Sequence, residues 1–209
     1  MNVHTFYFHT MEDLLHNLTK LTRLPEDQII PILHYFIPCT VGRGARLLAP
    51  GSMSPTAWLI GRGSVRAFYQ VEEKRRTRTN KTEERLLREI TNWIVPEGGF
   101  ITDIRAFFHK APSIYHIEAL EPCRLYSLSR DYYLAIKKSH PDVACAFIEN
   151  TLVMADLRVQ LCNLRDAADR FAMFENRFPE MRGRLSVNIQ ASYLNIDPTT
   201  LSRLRGRKK

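Results

Sequence analysis

The sequence predicts an α+β protein with an antiparallel β-barrel first, one long helix after it and a helical domain last. Three observations support this prediction. Short apolar runs cut by glycine and proline fill residues 40–128, an unbroken helical pattern covers 143–164, and two short amphipathic runs occupy 186–205. The predicted boundaries are therefore 1–128 for the β-rich domain, 129–166 for the region of the long helix and 167–209 for the terminal helical domain.

Composition restricts the class of protein. Of the 209 residues, 44% are hydrophobic and 25% are charged, values typical of a folded globular chain. No apolar stretch approaches the length of a membrane span, and the first residues lack a secretory signal, so we expect a cytoplasmic protein. The net charge of +8 indicates a polyanionic partner, and basic residues dominate from Met181 onward, where Asp197 is the single acid.

The segment before the barrel predicts one or two helices over residues 11–36, since leucines recur there at helical spacing. Within the barrel, the alternation from Ser64 to Tyr69 is typical of a strand. The charge-dense segment EEKRRTRTNKTEER interrupts two strands. We interpret it as a solvated hairpin loop. The alternative, an auxiliary contact with nucleic acid by the basic residues of 74–81, stays open.

The long helix carries two seven-residue series that together form one predicted dimer seam. The members of this seam are Phe147, Asn150, Met154, Leu157, Leu161 and Leu164. An ordinary core helix would show a similar stripe over three heptads. His140 and Pro141 mark the end of the preceding helix.

The stretch SVNIQASYLNIDPTTLSRLR predicts a helix-turn-helix. Ala191 is small enough for a close contact between helices, and Asn195 can adopt the left-handed backbone of the turn. Ser186 can cap the first helix, and Asp197 followed by Pro198 can cap the second. A plain helical hairpin with a basic end is the structural alternative.

Polar side chains on this motif predict contacts with double-stranded DNA. Arg203 can donate two hydrogen bonds to a guanine edge, whereas Asn188, Ser192 and Arg205 suit phosphates. Basic residues at the end of the chain, including Lys208 and Lys209, should add salt-dependent affinity. The full predicted set is Ser186, Asn188, Ser192, Thr199, Thr200, Ser202, Arg203, Arg205 and Arg207.

The four cysteines predict neither a metal site nor a redox pair. Cys39, Cys123, Cys145 and Cys162 are far apart, without a Cys-x-x-Cys pair or a zinc-type histidine spacing. We expect them to be reduced and mostly buried.

This order of parts resembles the Crp/Fnr family of bacterial transcription regulators, and the likeness covers nearly the whole chain. The stretches that carry it are LLAPG, AWLIGRGSVRAFY, VPEGGFITD, IEALEPCRLYSLSR, SHPDVACAFIENTL and QASYLNIDPTTLSRLR. The resemblance implies a barrel of the cyclic-nucleotide-binding type, a helix that joins two subunits, and a homodimer that binds an operator. It also makes RNA polymerase a candidate partner.

The resemblance places an effector pocket in the barrel, but one family feature is missing. Members that bind cyclic AMP hold its phosphate with an Arg-Ser or Arg-Ala pair, and the corresponding segment here, APSIYHIEA, contains no arginine. A buried phosphate without a charge-assisted partner would be poorly held, so we do not expect cyclic AMP. The predicted pocket residues are Gly99, Ile101, Asp103, Ser113 and Ile114, with Arg158 as the nearest substitute guanidinium.

In the family the barrel is the sensor domain, and its other effectors would need cysteine or histidine ligands here. An iron–sulfur cluster would require cysteines grouped near the amino terminus, which the sequence lacks. Haem stays open, because His4, His9, His16, His34, His109 and His116 lie in or before the sensor domain. The effector is therefore unknown.

Two further expectations concern the end of the chain and the class of protein. In the family, further structure that is often part of a β-wing follows the recognition helix, whereas here only GRKK follows Arg205. The resemblance therefore implies a reduced or absent wing. No hydrolase, P-loop or metalloprotease motif is present, so we do not expect an enzyme. The rival function is a ligand-binding or protein-interaction module whose terminal helices no longer bind an operator.

Overall fold

The structure, a computed structural model, describes residues 3–76 and 83–206, with the side chains of 10–73 and 86–206. Backbone contacts divide the chain into two compact units. The first contains Met1–Arg66 and Val95–Gln160, and the second contains Ala67–Ile94 and Leu161–Lys209. The boundaries at residues 128 and 166 stay a prediction, since these units each combine two separate segments.

The amino-terminal segment is helical, as predicted. Helix α1 covers Val3–Thr22, α2 covers Glu26–Ile29, and a 3₁₀ segment covers Ile30–Tyr35. Leu14 and Leu18, one turn apart on α1, are fully buried in the core of the first unit. The helix begins well before the predicted residue 11.

Within residues 3–76 and 83–206, eight strands form two four-stranded sheets. Their bounds are β1 Ile37–Val41, β2 Arg46–Leu48, β3 Thr56–Arg62, β4 Val65–Arg76, β5 Glu83–Val95, β6 Phe100–Ile101, β7 His116–Ala119 and β8 Cys123–Ser129. The strand orders are β1-β8-β3-β6 and β2-β7-β4-β5. The pairs of β8 with β1 and β3 are antiparallel, as are β2 with β7 and β3 with β6. The predicted fold class is confirmed.

One detail of the sheet prediction is wrong. Lys74, Arg75 and Arg76 belong to β4, although the charge-dense segment was predicted as a loop. A high density of charge does not prevent a backbone from being extended and paired, and β4 is paired with β5 in its sheet. Residues 77–82 lie outside the described residues.

Close packing in the first sheet fixes one aromatic side chain. Tyr126 on β8 lies opposite Leu59 on β3 and is fully buried. Its hydroxyl donates to the carbonyl of Thr10 at 2.8 Å, and burial raises the pKa of this phenol to about 12. A Cβ atom at Gly61 would lie 2.5 Å from the Tyr126 ring, so only glycine fits there.

The helices that follow β8 end where the sequence predicts. Helix α4 covers Arg130–Ser139, and the hydroxyl of Ser129 caps it by accepting from the amide of Tyr132 at 3.1 Å. Helix α5 then covers Pro141–Asn163. The break at His140 is confirmed. A shorter helix, α3, covers Ile104–His109 between β6 and β7.

The carboxyl-terminal segment is helical throughout its described part. Helix α6 covers Ala167–Arg177, a 3₁₀ turn covers Pro179–Met181, α7 covers Val187–Leu194, and α8 covers Pro198–Gly206. No strand occurs between Arg130 and Gly206. Of the helices that the structure describes, none has the length and apolar character needed to cross a membrane.

Candidate nucleic-acid interface

Helices α7 and α8 meet at the predicted turn. Asn195 has φ 52° and ψ 49°, the left-handed conformation that ends α7, and its amide bonds back to α7 carbonyls. Ala191 is 1% exposed, and its carbonyl also accepts from the amide of Ile196 at 3.1 Å. The predicted helix-turn-helix geometry is therefore present at residues 186–206, which we call the helical pair.

Both helices of the pair have side-chain caps. The hydroxyl of Ser186 accepts from the amide of Ile189 at 3.3 Å. Asp197 accepts from the amides of Thr199 and Thr200, and Pro198 is the first residue of α8. The hydroxyl and amide of Thr199 lower the pKa of the Asp197 carboxyl below its ordinary value of 3.8.

Apolar and aromatic contacts hold the pair in place. Leu194 on α7 and Leu201 on α8 are fully buried. The ring of Tyr193 lies 5.7 Å from that of Phe174 on α6, which in turn lies 5.3 Å from the ring of Phe178. Helix α6 thus packs against α7 through these rings. On α8, Leu201 is the one fully buried side chain.

The outer side of α8 presents hydrogen-bonding side chains. Thr199, Ser202 and Arg203 are exposed and lie at i, i+3 and i+4, so they share one face of the helix. Leu201 occupies the opposite, buried side. Asn188 on α7 is exposed as well, whereas Thr200 is half-buried. Ser186 is exposed, but its hydroxyl serves the cap.

Arg205 is placed differently from the other predicted contacts. Its guanidinium donates to Oε1 of Gln190, from Nε at 2.9 Å, and to the carbonyl of Leu185 at 3.1 Å. Gln190 is buried on α7. Arg205 therefore joins the end of α8 to the start of α7, and its predicted phosphate contact stays a prediction.

Ser192 is also bonded within the chain. Its hydroxyl accepts from the amide of Thr91 and donates to the carbonyl of Glu89, both at 2.9 Å. Glu89 and Thr91 lie two residues apart on β5, the last strand of its sheet, so one hydroxyl occupies two edge groups that a neighbouring strand would otherwise use. This contact joins residues about a hundred positions apart, and no local signal in the sequence marks it.

Several predicted basic contacts cannot be placed. Arg207, Lys208 and Lys209 lie outside the described residues, as do residues 77–82. The backbone of Lys74 to Arg76 is described in β4, but their side chains are not.

The predicted effector pocket brings two of its residues together. Asp103 and Ser113 are both buried, and the hydroxyl of Ser113 donates to Oδ2 of Asp103 at 2.7 Å. The other oxygen of Asp103 accepts from the amides of Arg105 and Ala106 and caps α3. The carboxylate is already satisfied by three donors of its own chain.

The remaining pocket residues do not complete a phosphate site. Gly99 lies against the side chain of Val95, Ile101 is buried in β6, and Ile114 is 51% exposed. Arg158 is half-buried on α5. Because Asp103 is occupied and the segment around Ser113 supplies no guanidinium, these residues do not fit cyclic AMP held in the family's manner.

The structure places the side chains of four of the six candidate haem ligands, and haem stays an open alternative. His16, His34 and His109 are exposed, and Nδ1 of His116 lies 2.6 Å from the Arg46 guanidinium. The side chains of His4 and His9 are outside the described residues.

The predicted dimer seam is partly occupied within its own chain. Phe147 is 5% exposed and packs against Phe36 and Phe100, at ring distances of 6.3 and 5.0 Å. Leu161 is buried too, while Asn150, Met154, Leu157 and Leu164 are half-buried. As a contact with a second chain, the seam stays a prediction.

A second series on α5 is more exposed, and we call it the outer stripe. It has the same three-four spacing and consists of Cys145, Ile148, Leu152, Ala155, Val159 and Cys162. Leu152 is 62% exposed and Val159 is 56% exposed. The expectation of mostly buried cysteines is wrong, since Cys145 and Cys162 are exposed and Cys123 alone is buried.

Comparison with solved structures supports the fold. FixK2 from Bradyrhizobium japonicum matches with a TM-score of 0.64 and 15% identity over 82% of this chain and 83% of that one. A CooA variant from Carboxydothermus hydrogenoformans matches with a TM-score of 0.60 and 17% identity, over 85% and 78% of the two chains. The fold is that of the Crp/Fnr regulators.

A third neighbour of this Crp/Fnr fold is the c-di-GMP-responsive global regulator CLP from Xanthomonas campestris, with a TM-score of 0.60 and 15% identity over 88% and 91% of the two chains. No family model matches the sequence, and no curated protein sequence matches it. At these identities the likeness concerns the fold alone.

Proposed function

We propose that this protein is a homodimeric, sequence-specific DNA-binding transcription regulator of the Crp/Fnr type. The observation that carries the proposal is the helical pair. Its turn is left-handed at Asn195, both helices are capped, and Thr199, Ser202 and Arg203 share the exposed face of α8. A helix whose packing needs are met on one side, and whose other side offers the Ser202 hydroxyl and the Arg203 guanidinium, suits the major groove.

Charge supports a polyanionic partner on the same part of the chain. The sequence from Met181 onward carries seven basic residues and one acid, and that acid is used to cap α8. Basic side chains around a recognition helix supply affinity through counterion release, whereas hydrogen bonds to base edges supply sequence preference.

The outer stripe of α5 supports the homodimer. Two copies that pair in parallel through a three-four series place identical residues opposite each other, which a two-fold axis requires. Two α8 helices would then enter successive major grooves, about 34–36 Å apart. An effector that favours one arrangement of α5 would alter that separation. Cyclic AMP held by Asp103 and an arginine does not suit this role, because Asp103 is bonded within the chain and the segment at Ser113 contains no arginine.

The test is binding to duplexes selected from a random pool, measured by fluorescence anisotropy over a range of salt. We expect the logarithm of the binding constant to fall linearly with the logarithm of salt, as several phosphate contacts require. Arg203→Ala should reduce the preference for the selected site by about 1–3 kcal/mol and affect random duplex less. Arg105→Ala, an exposed arginine on α3, is the matched control and should change neither quantity.

The rival interaction module predicts another result. Such a protein would show little salt dependence with duplex, and Arg203→Ala would leave the weak affinity unchanged. Either outcome would overturn the proposal.

A further inference from the structure

One arginine connects the end of α5 to the turn of the helical pair. Arg170 lies on α6, and its Nη1 donates to the carbonyl of Leu164 at 2.7 Å and to that of Arg165 at 3.3 Å. Its Nη2 donates to the carbonyl of Asn195 at 3.2 Å. A single guanidinium therefore binds the linker after α5 and the turn between α7 and α8.

Both sets of acceptors lie where helices end. Leu164 and Arg165 follow the last residue of α5, and Asn195 follows the last residue of α7. Carbonyls at such ends lack partners within the helix and carry partial negative charge, so a cation between them is favourable. The planar fork of arginine can serve two groups in fixed directions, which a lysine ammonium does poorly.

The linker between α5 and α6 is short, and the cap of α6 adds no side-chain bond that would fix the direction of α6. Three residues, 164–166, separate α5 from α6. Asp166, at the amino-terminal cap of α6, makes no side-chain capping bond. The bonds of Arg170 restrict this linker at its start and also hold the turn that precedes α8.

We propose that Arg170 is a positioning residue that sets the spacing between the two operator half-sites. The inference rests on the proposed function. In a two-fold dimer, a change in the direction of α8 relative to the linker occurs in both subunits. Both changes contribute to the separation of the two recognition helices. Loss of the bonds to the linker and turn widens the range of separations that the dimer accepts.

The experiment compares duplexes in which two copies of the selected half-site are separated by spacers that increase by one base pair. The full-length protein, Arg170→Met and Arg170→Lys are tested, with Arg177→Met as the control, since it removes an exposed charge from the same helix. Affinity for a duplex with one half-site is measured in parallel, and circular dichroism confirms folding.

The wild-type protein and Arg177→Met should prefer one spacer over its neighbours by about tenfold, because half-site spacing is a geometric property of the dimer. Arg170→Met should reduce this preference to about threefold or less, with single-half-site affinity changed by no more than about twofold. Arg170→Lys should behave like Arg170→Met, because it keeps the charge and loses the fork.

Three results would overturn the inference. The spacer preference could persist in Arg170→Met; it could be restored by Arg170→Lys, which would indicate a role of charge alone; or the variants could lose single-half-site binding equally, which would indicate that Arg170 only supports the fold of the helical pair. Failure of the wild-type protein to bind any duplex is a separate result, and it would overturn the proposed function as well.

Discussion

Helices α7 and α8 are similar in length and adjacent in the chain, but the polar side chains of their middle turns are used differently. On α7, Gln190 is buried against Arg205, and Ser192 is bonded to the edge of β5. On α8, Ser202 and Arg203 are exposed, and Leu201 is the one fully buried side chain. The difference indicates that α7 positions the pair and α8 is free to contact another molecule.

The largest effect should come from the single buried anchor of α8. Leu201→Ala should destabilise the second unit by about 2–5 kcal/mol, because it leaves a cavity where α8 packs. Urea unfolding followed by Trp93 fluorescence in a Trp58→Phe background reports on this unit. Leu204→Ala, at a half-buried position, should cost much less. If the two variants lose the same stability, the packing of α8 is shared by Leu201 and Leu204 and does not depend on Leu201 alone.

A matched pair of serine substitutions tests the comparison directly. Ser192→Ala removes the hydrogen bond that the amide of buried Thr91 donates to the serine hydroxyl, and should cost about 1–3 kcal/mol in the same unfolding assay. Ser202→Ala should change stability by no more than about 0.5 kcal/mol, since the side chain is exposed, and should weaken binding to the selected duplex. The reverse pattern would assign positioning to α8 and recognition to α7.

The turn between the helices should tolerate glycine and reject β-branched residues. Asn195→Val should cost about 1–2 kcal/mol, because a side chain branched at Cβ is strained at positive φ. Asn195→Gly should be close to neutral in the same measurement. If both variants behave alike, the left-handed turn does not determine how the helices cross.

The smallest effect should be the loss of the Asp197 cap when the pH is lowered. The folded state lowers the pKa of Asp197, chiefly through the hydroxyl of Thr199, so the ionised cap stabilises α8 at neutral pH. This stabilisation is present above the ordinary pKa of 3.8 and is lost as the pH falls through the lowered value. The difference in unfolding midpoint between wild type and Asp197→Asn should therefore shrink on acidification, and a constant difference would contradict the assignment.

The features that the sequence predicted correctly are those with local causes. Ser186, Asn195 and Asp197 act through atoms a few residues away, so their spacing was sufficient to predict both helices and the turn. The break before Pro141 has the same local origin.

Features that depend on distant residues could not be derived in this way. Helix α5 carries two series with the same spacing, and the sequence does not say which one faces outward. Phe147 is buried because Phe36 and Phe100, far away in the chain, pack against it. The bonds of Ser192 to β5 are of the same kind, and so is the guanidinium of Arg170, whose bond to Asn195 spans 25 positions.

The bond between Asp103 and Ser113 bears on what a sensor of this design would respond to. A compound that bound this carboxylate would compete with the serine hydroxyl and the two amides that already donate to it. This competition lowers the affinity for a metabolite that offers one weak donor, so a higher concentration of that metabolite would be needed to occupy the site. Selectivity would then depend on how well a ligand replaces the hydrogen bonds that Asp103 already accepts in the free protein.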